Sequence, residues 1–101
     1  MTLKVGWIGC GTHATQMLLP QFVRHDVEII ALCDVDGTRL AQAGRQFGVK
    51  NLLSNAYELI NTPGIDVVGM AVGPDQHLAF GKAALERGLP VFMEKPPAAT
   101  A

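Results

Sequence analysis

The sequence has no marked excess of one charge, few cysteines and no long apolar run, and each absence excludes a class of protein. Eight scattered Lys and Arg residues against nine Asp and Glu give a formal net charge of −1, so there is no basic stripe of the kind that binds nucleic acid. The first apolar run stops at Gly9, too early for a secretion or membrane segment, and we expect a cytoplasmic protein. Cys10 and Cys33 lack the spacing of a zinc site or a disulfide framework, which predicts reduced structural thiols and no bound metal.

What is present is the composition of one ordinary globular domain. Hydrophobic residues make up 49% of the 101 residues and charged residues 17%. A chain of this length can bury one hydrophobic core but not two, so residues 1–101 are expected to form a single domain.

Apolar runs alternate with segments of helical spacing along the chain. The runs are mostly continuous, which is typical of parallel strands that are covered on both faces. Strands are predicted at residues 3–9, 28–34, 50–53, 66–72 and 90–94, and helices at 12–24, 38–47, 56–60 and 76–87. Strands that alternate with helices predict an α/β fold with a doubly wound parallel sheet. A full dinucleotide-binding sheet usually has six strands, so the chain is expected to be truncated before the last strand, with an unprotected edge at 90–94.

Residues at the ends of the predicted helices support these bounds. Asn55 with Glu58 three residues later resembles a capping box. Gly48 and Gly88 each follow a predicted helix, at a position where the left-handed conformation is common and glycine is favoured. Asp36 is expected to start a helix rather than to bind a ligand.

The turn after the first strand predicts a phosphate-binding site. Its pattern is GxGxxA, in which the first glycine permits a tight turn, the second admits a pyrophosphate and the alanine allows close helix–strand packing. The unpaired N–H groups at the start of the following helix can bind the pyrophosphate. We expect His13 to contribute its backbone N–H, with its side chain towards solvent. The predicted cofactor-binding residues of this turn are Gly9, Cys10, Gly11, Thr12, His13 and Ala14.

Asp34 extends the phosphate turn to a dinucleotide site. It stands 20 residues beyond Ala14, at the end of the second predicted strand, where a carboxylate accepts hydrogen bonds from the adenine-ribose hydroxyls. Its charge would repel a 2′-phosphate, which favours NAD over NADP as the cofactor. Val35 follows it in the same predicted cofactor-binding segment. Two roles are open for Arg39: contact with adenine or a phosphate, or a solvated position on the next helix.

The last third of the chain carries a second group of motif residues. His77 lies 17 residues before Glu94, and Glu94, Lys95 and Pro96 form the tripeptide EKP. Together with GCGTHA and CDVD, this segment resembles the glucose–fructose oxidoreductase, inositol dehydrogenase and rhizopine-catabolism family (Gfo/Idh/MocA). The resemblance covers essentially the whole chain and implies an NAD(P)-binding Rossmann fold.

The resemblance also implies roles for the EKP residues. In that family the enzymes transfer hydride between a nicotinamide cofactor and a secondary alcohol of a sugar or polyol. Glu94 and Lys95 are then expected to approach the nicotinamide ribose. Lys95 also reaches the substrate hydroxyl and is the expected catalytic residue, because a lysine there can stabilise an alkoxide or move its proton.

The sequence departs from the family pattern before His77. Val72, Gly73 and Pro74 stand where the family has TPN, so the Thr and Asn side chains are missing and any cofactor contact there is through the backbone. For His77, a place near the cofactor and a packing or capping role are both open.

The resemblance implies a second domain that supplies most of the substrate pocket and much of the oligomer interface. The chain by itself is therefore expected to bind NAD without turnover, and to self-associate through its exposed edge strand. Nucleic acid and membrane are not expected partners. The alternative is a non-catalytic dinucleotide-binding or redox-sensing module.

Overall fold

Five parallel strands form one sheet, as the alternating pattern predicts. The computed structural model describes residues 3–10 and 27–93. Within them the strands are β1 (Leu3–Ile8), β2 (Val27–Cys33), β3 (Leu52–Leu53), β4 (Val67–Met70) and β5 (Val91–Met93). Their order across the sheet is β3-β2-β1-β4-β5, and all four pairings are parallel. The predicted α/β class with a parallel Rossmann-like sheet is confirmed.

Three described helices connect these strands. They are α1 (Gly37–Phe47), α2 (Ala56–Ile60) and α3 (Pro74–Glu86). The prediction placed the start of α3 two residues too late, because Pro74 occupies the first helical turn, where a missing N–H has no cost. The predicted helix at 12–24 lies outside the described residues.

The predicted helix ends are confirmed by their hydrogen bonds and backbone angles. Asp36 starts α1, since its Oδ1 accepts hydrogen bonds from the N–H groups of the second and third helical residues at 2.9 and 3.1 Å. Asn55 starts α2 in the same way, at 2.8 and 3.3 Å. Gly48 and Gly88 have φ of 69° and 76°, the left-handed conformation expected after α1 and α3.

Both faces of the sheet are buried, which explains the continuous apolar runs. On one face Val5, Trp7 and Leu32 pack with Leu40 and Ala43 of α1. The opposite face belongs to a second cluster, whose members on the strands and on α2 and α3 include Ile8, Ala31, Leu59, Ile60, Val68, Met70 and Ala84. Neighbouring strand residues point to opposite faces, so the buried positions of a central strand are apolar on both faces, and among the described residues no polar or charged residue is buried.

The Trp7 indole packs directly over Gly69 of the neighbouring strand β4. The side chain is fully buried, and a Cβ added to Gly69 would lie 2.5 Å from its Cε3 atom. The six-membered part of the indole therefore occupies the space that a side chain at position 69 would need.

We expect Gly69→Ala to lower the free energy of unfolding by about 1–3 kcal/mol, because the methyl group overpacks a ring that cannot move. Urea unfolding followed by the fluorescence of Trp7, the only tryptophan, measures this. Gly81→Ala is the matched control: a Cβ on Gly81 in α3 meets nothing within 4 Å, and alanine there should stabilise the chain by about 0.5–1 kcal/mol. Equal effects of the two substitutions would contradict the packing argument.

Candidate functional site

Gly9 ends β1 in a turn that only glycine accommodates without strain. Its φ is 101°, and a Cβ there would collide with the carbonyl oxygen of Ala71 at the end of β4. The Gly9 N–H donates to the carbonyl oxygen of Cys33 at 2.8 Å, and its own carbonyl oxygen accepts from Trp7 Nε1 at 2.7 Å. The turn is thereby fixed between the ends of β2 and β4.

Asp34 lies beside this turn, with both carboxylate oxygens bound to backbone N–H groups. Oδ2 accepts from the N–H of Cys10 at 2.7 Å, and Oδ1 accepts from the N–H of Asp36 at 2.8 Å. Hydrogen bonds to a charged acceptor are short and strong, so the carboxylate is held in one orientation. Each oxygen retains a further lone pair, which is what ribose hydroxyls would need.

A cleft of about 260 Å³ opens at the carboxyl ends of β1, β2 and β4. Consecutive strands β3 and β4 lie on opposite sides of β1, so the cleft is at the topological switch point, where open α/β sheets bind ligands. The predicted site residues that the structure brings together in its lining are Gly9, Asp34, Val35, Arg39 and Val72.

Seven further lining residues were not predicted from the sequence: Ile8, Cys33, Ser54, Ala56, Ala71, Gln76 and Phe80. Ser54 follows β3 directly. Because the carboxyl ends of parallel strands share one edge of the sheet, this position in the sequence could have indicated that Ser54 lines the cleft. The ring of Phe80 is held by an edge-to-face contact with Tyr57 of α2, with centroids 5.4 Å apart. Gln76 accepts a hydrogen bond from the Gly73 N–H through Oε1 at 3.4 Å, a capping contact that its spacing from Gly73 could have indicated.

His77 has a capping contact to the end of the preceding strand. Its Nε2 accepts a hydrogen bond from the N–H of Val72 at 3.5 Å. Pro74 and His77 line a separate groove of about 700 Å³ between α3 and β5, and neither they nor Gly73 are part of the lining of the cleft with Asp34. The bond to Val72 is a contact of the capping kind, and a place near the cofactor stays a prediction.

Arg39 is exposed to solvent and also lines the cleft, while its contact with adenine or a phosphate stays a prediction. Its side chain is 61% exposed, yet it lines the cleft, and its Nε lies 3.7 Å from Oδ2 of Asp36. It is a solvated arginine on α1 at the rim of the candidate site.

The two thiols beside the cleft are buried and protonated. Burial, with the charge of Asp34 as the second cause, raises the pKa of Cys10 to about 12 and that of Cys33 to about 11. Because the thiolate is the nucleophile, neither cysteine is activated for chemistry at neutral pH. They have the structural character that the sequence predicts.

Both thiols should react with iodoacetamide at pH 8 at least about tenfold more slowly in the folded chain than in urea, since only the thiolate reacts. The same shifts predict a lower free energy of unfolding as the pH rises above 9.0, their ordinary pKa, because the unfolded thiols lose protons first. Cys10→Ser and Cys33→Ser each leave one thiol, so the two variants show which reaction rate belongs to which cysteine. Similar rates with and without urea would contradict the prediction.

The remaining predicted site residues, Gly11, Thr12, His13, Ala14, Glu94 and Lys95, lie outside the described residues. Within residues 3–10 and 27–93, no three His, Cys, Asp or Glu side chains are placed to hold a metal ion. No helix in the same part of the chain is long and apolar enough to span a membrane.

Comparison with known proteins connects this geometry to one family. The sequence model of the oxidoreductase family with an NAD-binding Rossmann fold, GFO_IDH_MocA, matches residues 3–101. The chain is 32% identical over 97 residues to D-apiose dehydrogenase of Paraburkholderia graminis, covering 96% of this chain and 26% of that protein. It is 35% identical over 104 residues to inositol 2-dehydrogenase of Salmonella typhimurium, covering 100% of this chain and 31% of that protein.

A solved structure shares the fold. The crystal structure of an oxidoreductase from Agrobacterium radiobacter in complex with NAD+, L-tartaric acid and magnesium superposes with a TM-score of 0.87 and 31% identity, covering 98% of this chain and 29% of that one. The chain thus spans between a quarter and a third of the length of the relatives it matches.

Proposed function

Because the chain belongs to the Gfo/Idh/MocA oxidoreductase family, with an NAD-binding Rossmann fold, we propose that residues 1–101 form the NAD-binding domain of a sugar or polyol dehydrogenase. The observation that carries this proposal is the fixed carboxylate of Asp34, hydrogen-bonded at 2.7 Å to the N–H of Cys10 in the glycine turn. This hydrogen bond joins the carboxylate proposed to bind the ribose to the turn proposed to bind the pyrophosphate.

The described residues fit the adenosine half of the cofactor. Gly9 has no Cβ, and Asp34 offers free lone pairs towards the cleft that Val35 and Arg39 also line. We propose that Asp34 binds the ribose hydroxyls, that the backbone of the segment from Gly9 to Ala14 binds the pyrophosphate, and that Arg39 lies at the adenine rim. Ser54 and Gln76 add polar groups to the same cleft.

The charge of this cleft favours NAD over NADP. The carboxylate of Asp34 faces the cleft, and Asp36, whose N–H donates to Asp34 Oδ1, supplies a second carboxylate on the same segment. A 2′-phosphate placed near the ribose site would meet the negative charge of Asp34, and like charges at short range weaken binding.

Titration of the chain with NAD+ and NADP+ by calorimetry should show tighter binding of NAD+. Asp34→Ala should weaken NAD+ binding by about tenfold or more, the effect of losing a hydrogen bond to a charged group, and should weaken NADP+ binding less. Asp34→Asn removes the negative charge but keeps one acceptor oxygen, so it distinguishes the contribution of the charge from that of the hydrogen bond. Asp66→Ala, which removes an exposed carboxylate before β4, is the control and should change neither affinity. Tighter binding of NADP+ by the unmodified chain would refute the charge argument.

We propose that the chemistry of the longer protein that contains this chain uses Lys95, with Glu94 beside the nicotinamide ribose. The bound nicotinamide would accept or supply the hydride. Lys95 would hold or move the proton of the substrate hydroxyl. The names of two relatives, D-apiose dehydrogenase and inositol 2-dehydrogenase, support a secondary alcohol of a sugar or polyol as the substrate class. The chain alone, a quarter to a third of their length, is proposed to bind cofactor without turnover.

In that longer protein, Lys95→Ala should lower the NAD-dependent oxidation of polyols by about a hundredfold or more, the usual contribution of a positioned acid–base group. NAD+ affinity should change little, since Asp34 and the glycine turn are intact. Lys50→Ala, an exposed lysine before β3, is the matched control. Turnover that is unchanged in Lys95→Ala would exclude the catalytic role.

A redox-sensing module is the second candidate function. It is favoured by the segment from Val72 to Pro74, which lacks the family's Thr and Asn and whose N–H groups at Val72 and Gly73 already bind the side chains of His77 and Gln76. This candidate requires self-association that depends on NAD+ or NADH, without turnover. Assembly that is independent of the cofactor would argue against it.

A further inference from the structure

Asp36 lies between Asp34 and Arg39 and contacts the segment on both sides of itself. Its N–H donates to Oδ1 of Asp34 at 2.8 Å. Its Oδ1 accepts from the N–H groups of Thr38 and Arg39 at 2.9 and 3.1 Å, and its Oδ2 lies 3.7 Å from Arg39 Nε. One side chain therefore engages both the N-terminus of α1 and the arginine on its first turn.

The groups that Asp36 engages are those that would otherwise bind a phosphate. Free N–H groups at a helix N-terminus attract anions, and an arginine guanidinium pairs with phosphate through two hydrogen bonds. Arg39 lines the cleft together with Asp34, so it is within the region that a phosphate on the adenosine ribose would enter. With Asp36 present, the N–H groups of Thr38 and Arg39 are occupied and the positive charge of Arg39 is partly neutralised.

This inference rests on the proposed function: we propose that Asp36 is a second specificity-determining residue, which makes the site reject dinucleotides with a phosphate on the adenosine ribose. Asp34 acts directly at the ribose. Asp36 acts on the groups around it, by capping α1 and by holding Arg39. The side chains of Arg39 and Asp36 are 61% and 46% exposed, so solvent and salt screen the pair and the effect is a moderate one.

Asp36→Asn tests the proposal without removing the helix cap. Asparagine is as good an N-cap as aspartate, so Oδ1 can still accept from Thr38 and Arg39 while the charge is lost. We expect the ratio of the NADP+ to the NAD+ dissociation constant to fall by about three- to tenfold, the range for one partly screened charge near a phosphate. NAD+ affinity itself should stay within about twofold of the unmodified chain, since Asp36 is not a proposed ligand.

Two further variants test whether Asp36 changes the NADP+ to NAD+ ratio through Arg39 or through a general change in charge. Asp36→Asn combined with Arg39→Gln should lose the gain in NADP+ affinity, because the cation that Asp36 releases is gone. Asp66→Asn is the matched control, because the carboxylate of Asp66 also accepts a hydrogen bond from a backbone N–H, that of Lys4 at 2.9 Å. Asp66 precedes β4, at the amino ends of the strands and away from the cleft at their carboxyl ends. This substitution should leave the ratio unchanged.

The outcomes distinguish this inference from the function on which it rests. An unmodified chain that binds neither NAD+ nor NADP+ would overturn the proposed function and the inference with it. Normal NAD+ binding by Asp36→Asn with an unchanged ratio would overturn only the role of Asp36. A gain that survives Arg39→Gln would overturn the route through the arginine. A fall in the ratio that requires Arg39 and diminishes at high salt supports the proposal.

Discussion

The candidate site depends on the close approach of three strand ends at Gly9. The Gly9 N–H reaches the Cys33 carbonyl oxygen of β2 at 2.8 Å, and the space of a missing Cβ is taken by the Ala71 carbonyl oxygen after β4. Any side chain would separate these strand ends and open the cleft. Asp34 and Val72, which follow the same strand ends, are therefore brought to one cleft by a backbone constraint.

Trp7 couples this constraint to the hydrophobic core. Its buried ring leaves no room for a side chain on Gly69, and its Nε1 donates to the Gly9 carbonyl oxygen at 2.7 Å. One side chain thus contributes both to the packing of β1 against β4 and to the orientation of the glycine turn.

The sequence predicts the fold better than it predicts the cleft, and the reason is physical. The continuous runs around Trp7 and Val68 predict parallel strands because both faces of the sheet are buried, and Asp36 and Asn55 mark helix starts because capping is local. The position of Ser54 after β3 and the spacing of Gln76 from Gly73 are signals in the sequence, but whether these residues line the cleft depends on which strand ends are neighbours. The contact of His77 with Val72 likewise depends on how α3 follows the end of β4.

The carboxylate of Asp34 affects both the cleft and the two neighbouring thiols. It faces the cleft, where we propose that it favours ribose hydroxyls over a phosphate, and it adds to burial in raising the pKa values of Cys10 and Cys33. The proposed ligand selection and part of the rise in the two thiol pKa values therefore come from the same negative charge. The two effects have one origin: the carboxylate is held by the N–H groups of Cys10 and Asp36, which fix its charge beside both the cleft and the thiols. Removing the charge would take away one of the causes that raise the pKa values of these cysteines, and, if Asp34 selects the cofactor as proposed, would relax that selection too.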